Sequence, residues 1–497
     1  MESSEPRPLF DFDNTYARCL EGFSVPCEPT SVSQPVMLRF NEALAEELGL
    51  NLAASEAEQL AEIFAGNTLP AGAQPIAQAY AGHQFGGFVP QLGDGRALLL
   101  GEVIDRRGVR RDVAFKGSGP TPFSRGGDGK AAVGPVLREY LIGEAMHALG
   151  IPTTRALAAV RTGEVVRRER PLPGAVLTRV AASHVRVGTF QFFAARGDTE
   201  KLRTLADYVI ARHYPSLEER PDRYLALLQN VAERQAALLA QWTAVGFIHG
   251  VMNTDNMAVS GETIDYGPCA FLEAYDPNAV FSSIDVQGRY AFGNQPLIAR
   301  WNLARFAETL LPLLDAESSD RAVAQAMEVL NAFPNVYEGC RLSRLRAKLG
   351  LTTIADGDAD LADDWLELLA AQAVDFTLAW RRLADAAAGD TRPLEALFRD
   401  AAAIEPWLDR WRQRMESESM PAAERAEAMR LANPLYIPRN HRVEEALSAA
   451  TEQGDLAPFD RLLDAVTQPF TERPDLDGYA APAPPEFTAR YKTFCGT

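Results

Sequence analysis

The stretch that most constrains this chain is residues 246–268, which follow a helical pattern that ends at Gly246. Residues 257–264 have the composition of a short hairpin, which would separate Asn256 from Asp265. An amide oxygen and a carboxylate at the two ends of one hairpin can face the same Mg²⁺ or Mn²⁺ ion, because these ions prefer oxygen ligands. The stretch therefore predicts a metal site with Asn256 and Asp265 as ligands.

Two spacings in this stretch are typical of protein kinases. His249 precedes Asn256 by seven residues, as in the kinase catalytic loop, and residues 265–267 (Asp-Tyr-Gly) match the kinase metal-binding motif. Val251 stands where a kinase carries its catalytic aspartate. The usual base is therefore absent, and Asp255 is the nearby carboxylate that could replace it.

Composition restricts the classes of function that fit the chain. The 497 residues suit two to four domains or one large two-lobed enzyme, and the net charge of −18 argues against a general nucleic-acid binder. The five cysteines form no metal-type cluster and are odd in number, which favours a reducing compartment. Without a run of 18 apolar residues or a signal pattern, we expect no membrane association and a cytoplasmic location. The sequence says little on oligomeric state, and we expect a monomer.

Two glycine-rich segments lie in the N-terminal third of the chain, at residues 80–96 and 117–134. Glycines let backbone N–H groups approach a phosphate closely, and charged side chains between them can add contacts. A hairpin and a linker without any ligand are the alternative interpretation. The candidate nucleotide contacts in these segments are Gly93, Gly95, Arg96, Asp128 and Gly129.

A candidate phosphate-binding lysine lies between these segments. Lys116 ends a Val-Ala-Phe-Lys pattern that is typical of the third kinase strand. A helix is predicted over residues 135–149, and Glu139 lies in its apolar row, where an unpaired carboxylate is costly. Lys116 is the candidate partner of Glu139, as in the kinase ion pair. Glu144 is the rival carboxylate, and a solvated Glu139 remains open.

Two arginines, Arg179 and Arg186, flank the expected hinge between two lobes. Surface arginines are usually only solvated, but two at this position suggest phosphate neutralisation beyond a single lysine. If these arginines hold the terminal phosphate, the γ-phosphate is not available for attack. A displaced base points the same way, so both features favour attack on the α-phosphate. The sequence thus suggests AMP transfer in place of phosphate transfer.

The order of these signals predicts an α+β, two-lobed, protein-kinase-like fold. Residues 1–80 would form an N-terminal extension packed on the core, and residues 81–182 a small β-rich lobe. Residues 183–330 would form the large helical lobe with the catalytic and metal loops. Residues 331–497 would add a helical C-terminal extension and a tail.

The chain resembles the selenoprotein O family of YdiU-like proteins. The resemblance is dense over roughly residues 30–300, and its motifs are long. The matching segments lie at residues 80–96, 115–131, 249–257, 265–271 and 288–296.

This resemblance implies a kinase-like enzyme that transfers AMP from ATP to Ser, Thr or Tyr hydroxyls of proteins, with ATP flipped relative to kinases and Mg²⁺ or Mn²⁺ bound. It implies that Asp255 is the catalytic base and that Asn256 and Asp265 hold the metal. Lys116, with Glu139, would hold phosphates. Further nucleotide contacts would be Gly93, Gly95, Arg96, Asp128, Gly129, Arg179, Arg186 and Asp265. A protein kinase with a displaced base and an inactive ATP-binding pseudokinase scaffold remain the alternatives.

Some members of this family carry selenocysteine near the C-terminus, where this chain has Cys495. The resemblance implies that Cys495 pairs with Cys269 in a redox switch and that redox proteins are among the protein substrates. Two unpaired thiols are the alternative, because sequence alone does not establish that two cysteines are close.

Overall fold

A computed structural model describes residues 8–52 and 56–494 of the chain. It is an α+β protein with a sheet-rich N-terminal region and a helical C-terminal part, as the sequence predicted. The strands are β1 (Ser24–Pro26), β2 (Val36–Phe40), β3 (Ile76–Gln78), β4 (Gly82–Gln84), β5 (Gly87–Val89), β6 (Ala97–Ile104), β7 (Arg110–Lys116), β8 (Ala131–Ala132), β9 (Arg155–Arg167), β10 (Pro171–Ala181), β11 (Phe247–Ile248) and β12 (Ala270–Phe271).

Helices account for about half of the remaining described residues. They are α1 (Thr15–Cys19), α2 (Glu42–Glu47), α3 (Ala57–Ala65), α4 (Val133–Ala148), α5 (Val187–Ala194), α6 (Thr199–His213), α7 (Arg223–Ala244), α8 (Gln295–Leu314), α9 (Ser319–Leu349), α10 (Asp358–Gln372), α11 (Phe376–Ala387), α12 (Arg392–Glu395), α13 (Glu405–Met415), α14 (Ala422–Ala432), α15 (Asn440–Ser448), α16 (Ala457–Val466), α17 (Asp477–Ala480) and α18 (Pro485–Thr488). Helix α4 confirms the helix predicted over residues 135–149.

The main sheet has the strand order β1-β3-β6-β7-β10-β9-β2, and β8 pairs with β10. Its central strands are apolar on both faces because helices cover both. Leu99 of β6 packs in one core with Leu137 of α4, whereas its neighbour Leu100 packs in another with Phe64 of α3. Successive strand residues point to opposite faces, so a continuous apolar run is what a doubly covered strand requires.

Three strands within the first 80 residues belong to this sheet. Strands β1 and β3 form one end of the strand order, and β2 forms the other end beside β9. The four-segment division of the chain stays a prediction. What the structure adds is that the segment predicted as an extension shares the sheet with residues 97–181.

The helical part holds a second apolar core in its C-terminal half. The long helix α9 is capped at its N-terminus by Ser318, whose side chain accepts a hydrogen bond from the backbone N–H of Arg321. Gly350, in the left-handed conformation, caps its C-terminus. Beyond it, four buried tryptophans pack together: Trp365, Trp380, Trp407 and Trp411. None of the helices in the described part of the chain is both long enough and apolar enough to cross a membrane.

The hairpin predicted over residues 257–264 is wrong. Ala258 forms a bridge with Arg186, and Thr263 forms one with Thr153, so the two halves of the segment pair with other parts of the chain. Only a turn remains between them. The backbone of this segment pairs with residues that are distant in the sequence, and local composition does not predict such pairing.

Strands β11 and β12 replace that hairpin as the local framework. Ile248 pairs with Ala270, so residues 249–269 form a loop that is closed at its base. This loop carries Asp255, Asn256 and Asp265. The antiparallel pair therefore holds the candidate base and both candidate metal ligands on one closed segment.

Glu262 in this loop provides a test of stability. Its carboxylate accepts hydrogen bonds from the Ala182 N–H (2.8 Å) and the Ser260 hydroxyl (3.2 Å), and the nearest guanidinium, Arg111, lies 3.9 Å away. Burial raises the pKa of Glu262 to about 7, above the ordinary value of 4.5. The folded state therefore binds this proton more tightly than the unfolded state, and the associated stability is lost as the pH rises from 4.5 to 7.

Glu262→Gln, which is neutral at every pH, is expected to raise the free energy of unfolding at pH 8 by about 1–3 kcal/mol. At pH 5 we expect little change. Urea unfolding at the two pH values measures both quantities, and Glu233→Gln on the exposed surface of α7 is the matched control. A Glu262→Gln protein that is no more stable at pH 8 would contradict the argument.

Candidate active site

A cleft of about 810 Å³ opens between the glycine-rich segments and the closed loop of residues 249–269. Every residue predicted to contact nucleotide, to hold the metal or to act as the base lines this cleft. They are Gly93, Gly95, Arg96, Lys116, Asp128, Gly129, Glu139, Arg179, Arg186, Asp255, Asn256 and Asp265. Residues up to 172 positions apart in the sequence are thus collected at one surface.

Strand register places two of the cations on the same face of the sheet. Lys116 ends β7, and Arg179 of β10 is paired with Ala114, two residues earlier on β7. Side chains two residues apart on a strand share a face, so Lys116 and Arg179 both point toward Glu139 of α4. The antiparallel pairing therefore builds a cationic pair that neither strand could supply alone.

Asp265 is the centre of this arrangement. Its Oδ1 accepts hydrogen bonds from Lys116 Nζ (2.6 Å) and Arg179 Nη1 (2.7 Å), and its Oδ2 accepts one from Arg186 Nη1 (3.1 Å). Burial alone would raise the pKa of Asp265, but the three cations hold it well below its ordinary range. The carboxylate is therefore ionised at any physiological pH.

Glu139 completes the charge balance. Its Oε2 accepts a hydrogen bond from Lys116 Nζ (2.6 Å), and its Oε1 accepts one from Arg179 Nη1 (3.1 Å). The rival carboxylate Glu144 instead pairs with Arg155 at 2.6 Å. Eight Lys and Arg side chains line the cleft against five Asp and Glu side chains. The excess of positive charge suits an anion such as a polyphosphate.

Arg179 also contacts a buried histidine that was not predicted from the sequence. His184 Nε2 accepts a hydrogen bond from Arg179 Nε (3.1 Å), while His184 Nδ1 lies 2.9 Å from Asp112 Oδ2 and donates to it in this tautomer. Burial lowers the pKa of His184 to about 4, so the ring is neutral and keeps its acceptor nitrogen. Its position five residues after Arg179 was the only available sequence signal.

Arg186 has its own support, which was also missed. Its guanidinium lies 4.5 Å from the centroid of the Tyr80 ring and 3.9 Å from Asp94, and its Nη1 donates to the backbone oxygen of Asp255 at 2.9 Å. A planar guanidinium stacks well on an aromatic face. This stacking orients Arg186 so that one nitrogen reaches both Asp265 and the loop of Asp255.

Asp255 lies on a single 3₁₀ turn, Thr254–Asn256, and is 7% exposed. Its Oδ2 accepts a hydrogen bond from Gln84 Nε2 (3.2 Å), whereas its Oδ1 has no hydrogen-bond partner within residues 8–52 and 56–494. Burial raises the pKa of Asp255 to about 6. A carboxyl group with a pKa near neutrality and a free oxygen can act as a general base.

Comparison with known proteins identifies the family of this chain. Residues 8–467 match the family described as protein adenylyltransferase SelO. The chain belongs to this family. The protein nucleotidyltransferase YdiU of Cereibacter sphaeroides is 63% identical over 489 residues, covering 98% of this chain and 100% of the relative.

Two further relatives are also called protein nucleotidyltransferase YdiU. The protein of Chromobacterium violaceum is 62% identical over 95% of this chain and 99% of its own length. The protein of Agrobacterium fabrum is 59% identical over 98% of this chain and 100% of its own length. The resemblance found in the sequence is confirmed, and the protein is a nucleotidyltransferase.

The candidate metal ligands fit a hard cation with few protein ligands. Asn256 Nδ2 donates to the backbone oxygen of Val251 (3.0 Å), which leaves its amide oxygen as the ligand atom beside the carboxylate of Asp265. No group of three or more His, Cys, Asp or Glu side chains in the described ranges could hold a metal ion. Mg²⁺ commonly takes one or two protein oxygens together with substrate phosphates, so this donor set fits it.

Two glycines of the cleft are required by close backbone approach. A Cβ at Gly93 (φ +72°) would lie 2.3 Å from Cγ of Phe123. A Cβ at Gly129 (φ +63°) would lie 2.0 Å from the backbone oxygen of Gly119. The carboxylate of Asp128 is held by Arg168 at 2.9 Å on the exposed rim of the same loop. These contacts give the loop a defined shape.

Gly129→Ala is expected to raise the KM for ATP about 10-fold or more, because the backbone of the cleft wall must move to relieve the clash. Gly126→Ala is a matched control, since Gly126 lies in the same loop with φ +84° but has no atom within 4 Å of its Cβ position. We expect the control to change KM less than about 3-fold. If the two substitutions raised the KM for ATP equally, backbone strain in the loop would explain the increase, and the close approach at Gly129 would not.

The structure describes one cysteine of the predicted redox pair. Cys269 is buried, and burial raises its pKa to about 12, whereas Cys495 lies outside the described residues. Thr493 Oγ1 donates to the backbone oxygen of Pro268 (2.8 Å), so the tail reaches the residue that precedes Cys269. The Cys269–Cys495 pairing stays a prediction.

Proposed function

We propose that this enzyme transfers AMP from ATP to Ser, Thr or Tyr hydroxyls of proteins and that it depends on Mg²⁺ or Mn²⁺. The observation that carries the proposal is the set of three cations around Asp265, next to a buried carboxylate with a free oxygen. The family description and the names of the relatives support the same chemistry.

We also propose that the fold is two-lobed and kinase-like. The strand lysine, its ion pair with Glu139 on the following helix, and Asn256 and Asp265 on one loop occur in kinase order. In a kinase, however, the catalytic aspartate stands two residues after the histidine, where this chain has the buried Val251. This difference favours a changed position of the reacting phosphate.

ATP would bind with its terminal phosphates among the three cations. Lys116, Arg179 and Arg186 each bond to an Asp265 oxygen and can shift these bonds to phosphate oxygens when nucleotide enters. With the β- and γ-phosphates held there, the α-phosphate would face Asp255. ATP would then be flipped relative to its orientation in kinases.

In the transfer step, the acceptor hydroxyl oxygen forms a bond to the α-phosphorus, and Oδ1 of Asp255 accepts the hydroxyl proton. The bond between the α-phosphorus and the oxygen bridging to the β-phosphate breaks, and pyrophosphate leaves with that electron pair. Lys116, Arg179 and Arg186 neutralise the charge that develops on the leaving group. A metal held by Asn256 and Asp265 would supply further charge neutralisation at the phosphate oxygens.

ATP labelled separately at the α- and γ-phosphates tests this proposal. Incubated with Mg²⁺ or Mn²⁺ and a protein mixture, the enzyme is expected to place only the α-label on protein and to release pyrophosphate. Transfer of the γ-label would identify a kinase with a displaced base. Transfer of neither label would identify an inactive ATP-binding scaffold.

The remaining expectations concern the surroundings of the enzyme. Its protein substrates, including redox proteins, its monomeric state and its cytoplasmic location stay predictions. The redox switch at Cys269 and Cys495 is testable by intact mass. Wild type and Cys495→Ser are treated with a thiol-blocking reagent under oxidising conditions, and their masses are corrected for the substitution and for the one thiol that the variant lacks. Equal corrected masses would exclude the bond.

A further inference from the structure

The hairpin of β4 and β5 is fastened to the loop that carries Asp255. Its contacts are made by three successive hairpin residues to three successive loop residues. His83 N donates to Thr254 Oγ1 (2.7 Å), Gln84 Nε2 to Asp255 Oδ2 (3.2 Å) and Phe85 N to Asn253 Oδ1 (3.1 Å). The hairpin and the catalytic loop therefore act as one unit, and the hairpin forms a wall of the cleft beside the candidate base.

The packing behind this wall leaves one oxygen of Asp255 unpaired. A Cβ at Gly82 would lie 2.5 Å from Oδ1 of Asp255, so a larger residue there would displace the carboxylate. In the described part of the chain, no donor reaches this oxygen, although the side chain is more than nine-tenths buried. A buried unpaired acceptor is costly, and a hydroxyl donor arriving through the cleft would satisfy it.

The tip of the hairpin displays an aromatic ring on a strained backbone. Phe85 has φ +50°, a left-handed conformation that is costly for a bulky residue. Its N–H also lies 3.2 Å from Tyr290 Oη, and its ring centroid lies 5.1 Å from that of Tyr290. These contacts hold the Phe85 ring at the rim of the cleft, where the residue is 38% exposed.

A second apolar side chain lines the same opening. Ile284 is 53% exposed and belongs to a turn whose Asp285 accepts from the N–H groups of Arg289 and Tyr290. Tyr290 Oη in turn donates to Asn253 Oδ1 at 2.6 Å. The turn, the hairpin tip and the loop of Asp255 are therefore joined through Tyr290, and two exposed apolar residues line the cleft that contains Asp255.

We propose that Phe85 and Ile284 form an acceptor subsite that binds an apolar side chain adjacent to the target hydroxyl. The occupant is a locally unfolded, extended segment of a partner protein, because only an extended chain can bring a hydroxyl to a base as deeply buried as Asp255. Both side chains line the same cleft as Asp255, so an acceptor segment that enters the cleft can contact them. This inference rests on the proposed AMP transfer.

A peptide library tests the subsite. Each peptide carries one Ser, Thr or Tyr acceptor, and the two neighbouring positions are Gly, Asp, Lys, Leu or Phe. With α-labelled ATP, we expect peptides with Leu or Phe beside the acceptor to have a kcat/KM at least about 5-fold above that of the glycine peptides. Equal labelling of all peptides by the wild type would overturn the subsite.

The double variant Phe85→Asn, Ile284→Ser is expected to lose this preference, to within about 2-fold for all peptides, while the KM for ATP is unchanged. Asparagine tolerates the left-handed backbone at position 85. Ile354→Ser, at an 81% exposed position remote in sequence, is the matched control and should keep the preference. If the double variant is poorly folded, the same prediction applies to Ile284→Ser alone, with the preference reduced at least 2-fold.

The outcomes separate this inference from the proposed function. A wild type that labels peptides without an apolar preference, or a folded variant that keeps the preference, overturns the subsite and leaves AMP transfer intact. Absence of α-label from every peptide and from denatured cellular protein overturns both.

Discussion

Asp265→Asn is expected to lower the rate of the proposed AMP transfer about 10³-fold, because it removes the carboxylate proposed to bind the metal and the counter-charge of three cations. Asparagine keeps the shape of the side chain and tolerates the backbone of Asp265, which has φ +64°. Transfer of the α-label from ATP measures the loss. A variant that retains transfer within about 10-fold of the wild type would contradict the role assigned to Asp265.

The same substitution should change stability in a way that depends on nucleotide. Without ATP, Asp265→Asn leaves Lys116, Arg179 and Arg186 crowded around a neutral amide, which we expect to cost about 3 kcal/mol of unfolding free energy. With ATP bound, we expect phosphate oxygens to take the place of the lost carboxylate. The rise in melting temperature on adding ATP should therefore be larger for the variant than for the wild type.

A surface ion pair supplies the control for this experiment. Asp222 pairs with Arg220 at 2.8 Å, and both side chains are about half exposed. Asp222→Asn is expected to change the unfolding free energy by less than about 0.5 kcal/mol, with or without ATP. Equal changes in unfolding free energy for Asp222→Asn and Asp265→Asn would show that the three cations do not depend on the charge of Asp265.

Asp255→Asn is expected to lower the rate of transfer about 10²–10⁴-fold while the KM for ATP changes little, because the substitution removes the proposed proton acceptor but no proposed nucleotide contact. Gln84 can still donate to the amide oxygen of the new residue, so the loop should keep its shape. Single-turnover transfer from α-labelled ATP, with ATP binding measured separately, distinguishes these effects. Loss of ATP binding together with transfer would point to a structural role instead.

The pH profile gives a second measure of the same residue. Burial raises the pKa of Asp255 to about 6, and a base must be deprotonated to act, so the wild-type rate should fall as the pH drops below about 6. The pKa of Asp94 is also raised to about 6 by burial. The rate of Asp94→Asn should still fall as the pH drops below about 6, whereas the residual rate of Asp255→Asn should not.

Much of the candidate site could be predicted because it depends on residue type and order. Lys116 at a strand end, Glu139 on the next helix, and Asn256 and Asp265 around Asp255 are local patterns. Each was placed in the cleft that the structure contains. Glycines with positive φ, such as Gly93 and Gly129, were also visible, since loops that approach closely need residues without a side chain.

The failures have a common cause in long-range pairing. The hairpin over residues 257–264 matched its local composition, yet Ala258 and Thr263 pair with residues 72 and 110 positions away in the sequence. The sequence around His184 does not indicate a role, and only the structure shows its contacts with Asp112 and Arg179. Composition within one segment contains no information about partners that arrive from another.

The sequence by itself determined the family, the α+β class and the identity of the charged groups, because these depend on residues in order along the chain. It left open whether Glu139 or Glu144 would meet Lys116. Only the tertiary structure decided this, by giving Glu144 to Arg155 and Glu139 to Lys116. It also decided that three cations meet at Asp265, since that convergence depends on strand register and helix packing.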